Sequence, residues 1–418
     1  MGRSGNSFSF PFDVHFFPLY FLGVCAVLRH LFQSLSFRLI LLVGFVIFGG
    51  HHLPIVFKSF LYASAQTIQD LMVFGIPFLI FAYMFSCLVT FRQQAGKFLA
   101  ILFLGVCVSN AASTLLSYGV ATSALHNVGI LSTAALAKGG ALTPLWSFKL
   151  PTLLSNLWAL GLAIASGIIA PLVLNPEKVE AFANTMKESC NTVLSKVLLP
   201  MIPVLVVGFA LKMQHEGTLF QAFETYGKVV LLFAATQVLY LTFLYGMSAH
   251  FRPTLWAKTI GNALPSALTA FTTMSSLAAL SSAIEGARKN TRHDPLVDAV
   301  VPATVNFHLV GDSIAIPIMA LAIMTSFGMP MPGLETYLIF VFFFVINKFA
   351  VAAVPAGGIL VMIPVLKSYL GFTPDMANLI LTLYVLFDAV CTTANILGNG
   401  IFAVFFTRIY RRMSAIAA

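Results

Sequence analysis

The stretch DMANLILTLYVLFDAVCTTANILGNGIFAVFFTRI, Asp375 to Ile409, decides how the whole chain is read. It is long and apolar enough to cross a bilayer, where a spanning helix needs about 20 mostly apolar residues. Its centre nevertheless holds Asp388, Cys391, Thr392, Thr393, Asn395 and Asn399, with Gly398 and Gly400 beside them. A carboxylate at membrane depth costs about 2.5–3.5 kcal/mol on insertion scales and more in simulations. Asp388, Cys391, Thr392, Asn395 and Asn399 recur at three- and four-residue steps, so a helix sets them on one stripe. Such a stripe faces a cavity or ligand, or else acts as polar glue between packed helices. The acid favours the cavity, because glue rarely needs a charge.

Composition points the same way. The chain has 418 residues, 59% hydrophobic and only 9% charged, where a soluble domain carries about 25% charged residues. This predicts an all-α polytopic membrane protein. The formal charge of +9 therefore reports loop composition and orientation; no nucleic-acid-reading motif accompanies it. Five cysteines, Cys25, Cys87, Cys107, Cys190 and Cys391, lie mostly within apolar runs without a CxxC pair, against a disulfide framework or a zinc site. His51 and His52 read as an interfacial helix end, with no third metal ligand nearby. The first residues hold Asp13, His15 and Pro18 and lack a clear small-residue cleavage site. A retained interfacial or membrane segment over 1–37 fits them better than a cleaved signal peptide.

Spans are expected at Arg38–Phe57, Leu71–Phe91, Phe98–Gly119, Leu153–Leu174, Val193–Lys212 and Val229–Met247. The third carries Ser109, Asn110, Ser113 and Thr114, and a long excursion is expected from Ala121 to Pro144. Glu177–Lys187 reads as an amphipathic entry to the fifth span, and Pro200 and Pro203 predict a kink there. Counted from a cytoplasmic N-terminus, the loops with Arg92/Lys97, Lys178/Lys187, Arg252/Lys258 and the tail Arg408/Arg411/Arg412 fall on one side. That positive-inside pattern places both termini in the cytoplasm, with the plasma (inner) membrane as the expected location.

After Lys258 the character changes. Ala263–Glu285 is too polar at its middle for one lipid-facing helix, and two half-spans meeting at Met274-Ser275-Ser276 suit it better. Leu296–Phe327 is a long span interrupted by Asn306, His308, Gly311, Asp312 and Pro317. Tyr337–Tyr369 repeats the first theme around Ala352 to Gly358, and Asp375–Ile409 repeats the second. The order hairpin, broken helix, hairpin, broken helix marks matching halves, and interrupted segments in matching positions point to a transporter's substrate site.

At these residues the chain resembles the dicarboxylate/amino acid:cation symporter family, which includes the glutamate transporters and the archaeal aspartate transporter. The likeness runs from about Arg38 onward. LTAFTTMSSLAAL is similar to the family's first hairpin with its serine-rich tip, and AAVPAGG to the Gly-Val-Pro-Gly-Gly tip of the second. DAVCTTANILGN is similar to the last helix's Asp-x-x-Arg-Thr-x-x-Asn-x-x-Gly-Asp, and GDS more loosely to the Asn-Met-Asp-Gly-Thr of the seventh. The resemblance implies eight spanning helices, two re-entrant hairpins, inverted repeats, a homotrimer and an elevator-like transport domain. It implies a division into 38–258, mainly scaffold with its third and sixth helices joined to the moving part, a transport core over 259–412, and a tail over 413–418.

The same resemblance assigns residues. Asp388 falls where the family binds the substrate's α-amino group, and a carboxylate suits an ammonium. Thr392 and Asn395 match the residues beside it; Ser275 and Ser276 match the hairpin serines that hold the α-carboxylate; Pro355, Ala356 and Gly357 belong to the second tip. Cys391 stands where carriers of acidic amino acids keep an arginine, so a second substrate carboxylate loses its fork; simple packing explains a small residue there equally.

Cation ligands are expected from Ser109, Asn110, Asn306, Asp312, Asn395 and Asn399, the last replacing a family aspartate. Lys348 sits in the arm whose carbonyls bind sodium in the family. It either snorkels to the interface or replaces a bound ion as a tethered cation, and proton coupling through Asp312 or His308 stays open. The function expected is cation-coupled symport of small, neutral amino acids, with dicarboxylates or acidic amino acids as the alternative, no cofactor, and only substrate and lipid as further partners. A channel would show a filter or ring. An intramembrane enzyme would need more than His308 and Ser313, so no enzyme is expected.

Overall fold

The computed structural model describes residues 35–93, 96–129, 140–148, 150–151, 153–217, 219–351 and 357–417. Pro355 and Ala356, most of the first 37 residues, and 130–139 of the expected excursion lie outside them. The described chain is helical, without a strand. Its helices are α1 (Leu35–Gly49), α2 (Ile55–Gln93), α3 (Gly96–Val128), α4 (Asn156–Val173), α5 (Pro176–Val193), α6 (Leu199–His215) and α7 (Leu219–Ser248). There follow α8 (Pro253–Thr273), α9 (Leu280–Asn290), α10 (Leu296–Thr304), α11 (Val310–Ser326), α12 (Leu334–Asn347), α13 (Gly357–Leu370) and α14 (Pro374–Ala417).

Several helices outrun the apolar windows that predict them. α2 begins at Ile55 rather than Leu71, and α3 continues to Val128, through the start of the expected excursion. The reason is local. Ser64 and Thr67 donate to the carbonyls of Phe60 and Ala63, and Thr122 and Ser123 to those of Tyr118 and Gly119, each four residues back. A hydroxyl satisfied by its own helix does not interrupt it. Between α5 and α6 the predicted kink is present: a π-turn over Leu194–Leu198, just before Pro200, bends the axis by 47°.

The last helix requires a correction. A break was expected within Asp375–Ile409, but α14 runs unbroken for 44 residues. Its glycines serve close packing instead. A Cβ on Gly398 would lie 3.0 Å from the Val310 side chain, and no proline follows Pro374 to remove a backbone donor. The other expected interruptions are real. α8 stops at Met274, whose left-handed φ of 51° turns the chain, and α9 returns along α8. Between α10 and α11 the helix unwinds over Val305–Leu309.

Packing places these breaks together. Every residue of α11 except Thr325 is buried; α3, α7 and α14 pack directly on it, while α8 and α9 pack on α14. A second group gathers α1, α4, α5 and α6, with α2 in contact with three of them. Of the most apolar window in α14, 83% is buried, so its polar stripe faces protein rather than lipid. The perimeter is apolar, with Trp158, Leu172, Val173, Leu231 and Leu239 exposed, as a lipid-facing surface requires. Four described helices are long and apolar enough to cross a membrane, five if the bent α5–α6 pair counts as one.

Candidate substrate and cation site

The unwound segment between α10 and α11 frees backbone groups deep in the protein, and each must find a partner. Asn110 on α3 supplies two: its amide donates to the Phe307 carbonyl at 2.7 Å and its oxygen accepts from Leu309 N at 3.1 Å. Asn399 on α14 donates to the Val301 carbonyl at 3.0 Å and accepts from the Thr304 hydroxyl at 2.5 Å. Gln237 on α7 reaches the Gly311 carbonyl at 2.9 Å. Asn110 thus pairs groups of the unwound segment itself, while Asn399 and Gln237 bond the helices on either side of it.

Next to the break, Asp312 is buried in the first turn of α11. Its Oδ1 accepts from the Tyr384 hydroxyl at 2.8 Å and from Asn395 Nδ2 at 3.0 Å, while Asn395 Oδ1 accepts from the Asp312 backbone N–H at 3.1 Å. Oδ2 lies against Gly358, where any Cβ would collide with it and with the Tyr384 hydroxyl. One turn along α14, Asp388 is buried and accepts from Thr392 at 3.1 Å. Both aspartates, with Met274, Ser276, Asn306, Gly358, Thr392 and Asn395, line a cavity of about 30 Å³. That volume admits a water or a bare ion but not an amino acid.

Lys348 settles differently from the snorkelling that its long stem permits. It is fully buried in a short 3₁₀ turn after α12. Its Nζ donates to the Leu309 carbonyl at 3.0 Å and lies 4.8 Å from the Phe344 ring centre. The stem cannot reach the interface because the turn that carries it is itself inside the protein, between Asn347 and Val351, both buried. The ammonium thus shares the Leu309 carbonyl with the Ser313 backbone N–H, which donates to it at 2.9 Å.

The expected site residues separate into groups. Ser276, Asp388, Thr392 and Asn395 share the cavity with Asn306 and Asp312. Asn306 Oδ1 is buried without a hydrogen-bond partner. Ser109 turns instead to His308, at 2.8 Å, and Asn110 and Asn399 are engaged at the break. Ser275 accepts from Ala278 N within the α8–α9 turn, and Gly357 opens α13. Cys391 is completely buried but is not part of the cavity wall; its carbonyl touches the position a Cβ on Gly311 would occupy. Tyr384 and Gln237 were not anticipated, and Gly358 was read only as part of the second tip. Tyr384 extends the polar stripe one turn before Asp388, and Gln237 is a lone amide within an apolar span. Either signal was available.

A buried, multi-helix site of carboxylates and amides around an unwound segment is an arrangement suited to a membrane carrier of small molecules. The chain belongs to the sodium:dicarboxylate symporter family, whose family model matches residues 35–409. Its members are transporters rather than enzymes, and the family supports sodium-coupled symport of dicarboxylates or amino acids in general. A comparison with curated proteins found no match.

Proposed function

We propose that the protein couples the uptake of a small neutral amino acid to sodium. The observation that carries this reading is the cavity's charge pattern. Asp388 and Thr392 form one wall, Ser276 stands in the turn between α8 and α9, and the nearby base, Lys348, is already given to the Leu309 carbonyl. An ammonium matches Asp388, and one carboxylate matches Ser276 with the adjoining backbone donors. A second substrate carboxylate would lack the bidentate fork that arginine provides. For the coupling ion, Asp312 and the unpartnered Asn306 oxygen are hard donors on one wall, which suits sodium better than a proton relay.

In the same reading, α8–α9 and α12–α13 are re-entrant hairpins. They move with α3, α7, α10, α11 and α14 past α1, α2 and α4–α6, within a homotrimer whose termini are cytoplasmic. Proteoliposomes test the assignment through uptake of alanine, serine and threonine against glutamate, aspartate and succinate, under imposed sodium or proton gradients. Sodium-driven uptake of the neutral amino acids is expected. Best uptake of glutamate or succinate would overturn the substrate assignment, and uptake driven by a pH gradient alone would overturn the ion.

A further inference from the structure

Where α7 turns into α8, three separate parts of the chain bring cations to one concavity of about 620 Å³. Arg252 and Lys258 come from the α7–α8 corner, Arg292 from the turn after α9, and Arg408 and Arg412 from the end of α14. The acid in the same wall, Asp294, is already engaged by Arg411 through hydrogen bonds of 2.9 and 3.0 Å. Arg408 is fixed by a 2.7 Å bond to the Ser248 carbonyl, with Arg292 and Arg412 as its charged neighbours. Gathering like charges without acids to offset them is unfavourable unless an anion completes the set.

The backbone is shaped for this convergence. His250, Phe251, Arg292 and His293 all take left-handed φ values, between 52° and 63°, a conformation that non-glycine residues rarely adopt and that clusters at functional sites. Cations spread along loops would report orientation alone. These instead meet at one concavity, and an apolar path leads away from it. Along α8, Lys258 is followed at helical steps by Gly261, Leu264 and Leu268. The leucines are 51% and 66% exposed, and nothing lies within 4 Å of a Cβ built on Gly261. A charged pocket at the head of an exposed apolar stripe has the form of a site for an anionic headgroup with its acyl chains.

We propose that this concavity binds a phosphate-bearing anion, presented by the headgroup of an anionic phospholipid whose chains lie along α8. Trp256, on the same helix, reports occupancy once Trp146 and Trp158 are replaced by phenylalanine. In phosphatidylcholine vesicles, brominated phosphatidylglycerol should quench Trp256 at about a tenfold lower mole fraction than brominated phosphatidylcholine does, on the order expected for several basic contacts. Lys258→Gln/Arg292→Gln/Arg412→Gln should erase that preference, whereas Lys178→Gln/Lys187→Gln/Lys196→Gln, which removes equal charge elsewhere, should keep it. If the first triple variant does not fold, Lys258→Gln alone should weaken the preference several-fold. Calorimetric titration with inorganic pyrophosphate provides the other arm. Binding that the first triple variant abolishes, without any lipid preference, would support the phosphate site and assign it to a soluble compound. Equal quenching by the two lipids with no pyrophosphate binding would overturn the proposal, as would equal loss of preference in both triple variants.

Discussion

At Asp312 the arrangement can be checked oxygen by oxygen. One oxygen takes two donors, from Tyr384 and Asn395, and the other faces the first turn of α13 at Gly358. A helix N-terminus favours a negative charge, and the two donors fix where the carboxylate points. Gly358→Ala places a methyl on Oδ2 and on the tyrosine hydroxyl, both of which are buried and fixed. Uptake should fall more than tenfold while expression stays near normal, and unchanged uptake would mean that α13 shifts freely. Asp388→Asn should abolish uptake with insertion intact, because losing a buried charge partner typically costs about 2–5 kcal/mol of binding; near-normal uptake would remove Asp388 from the site. Cys391 is different. Although its place in the motif suggests that arginine there would select acidic substrates, the thiol is fully enclosed and its backbone abuts Gly311. Cys391→Arg should therefore lower the melting temperature rather than switch specificity, which thermal unfolding and competition by glutamate can separate.

At the scale of elements, the break between α10 and α11 depends on side chains from other helices. Asn110→Ala would leave the Phe307 carbonyl and the Leu309 N–H without their partner, and an unsatisfied buried group costs about 1–3 kcal/mol. The variant should unfold at a clearly lower temperature in detergent; an unchanged transition would show that water replaces the amide. The same interactions explain what could be read beforehand. Interrupted segments announce themselves through polar residues in apolar runs, so the breaks at Met274 and at Val305–Leu309 were legible. Whether a polar run breaks a helix or is absorbed by it depends on partners that lie far away in sequence. Thr392 bonds Asp388 within α14, and Asn399 bonds Val301 across the interface, so α14 stays whole despite Gly398 and Gly400. The burial of Lys348 was equally unreadable, because its partner is the Leu309 carbonyl, which stands at the start of another helix and is far away in sequence.

For the whole molecule, the decisive quantity is the charge carried through the membrane. Around the cavity stand two carboxylates, Asp312 and Asp388, and one basic group, Lys348, with the His308 ring stacked on Phe402. Counted formally, two carboxylates against one ammonium leave the empty site one negative charge, and burying an uncompensated charge at membrane depth is costly. A zwitterionic amino acid changes nothing in this balance, whereas about one sodium ion neutralises it. A further sodium ion on the Leu309 carbonyl is opposed by Lys348, since unit charges about 4 Å apart repel by roughly 4 kcal/mol at an effective dielectric of 20. The expected result is about one charge moved per neutral substrate, read from the reversal potential of sodium-driven uptake. Lys348→Ser removes the tethered charge and opens that carbonyl to solvent ions. Its uptake should then depend more steeply on sodium concentration, or be lost if the remaining oxygens cannot complete a site. Superimposable sodium curves for the two proteins would show that the Lys348 ammonium, although buried, has no part in coupling.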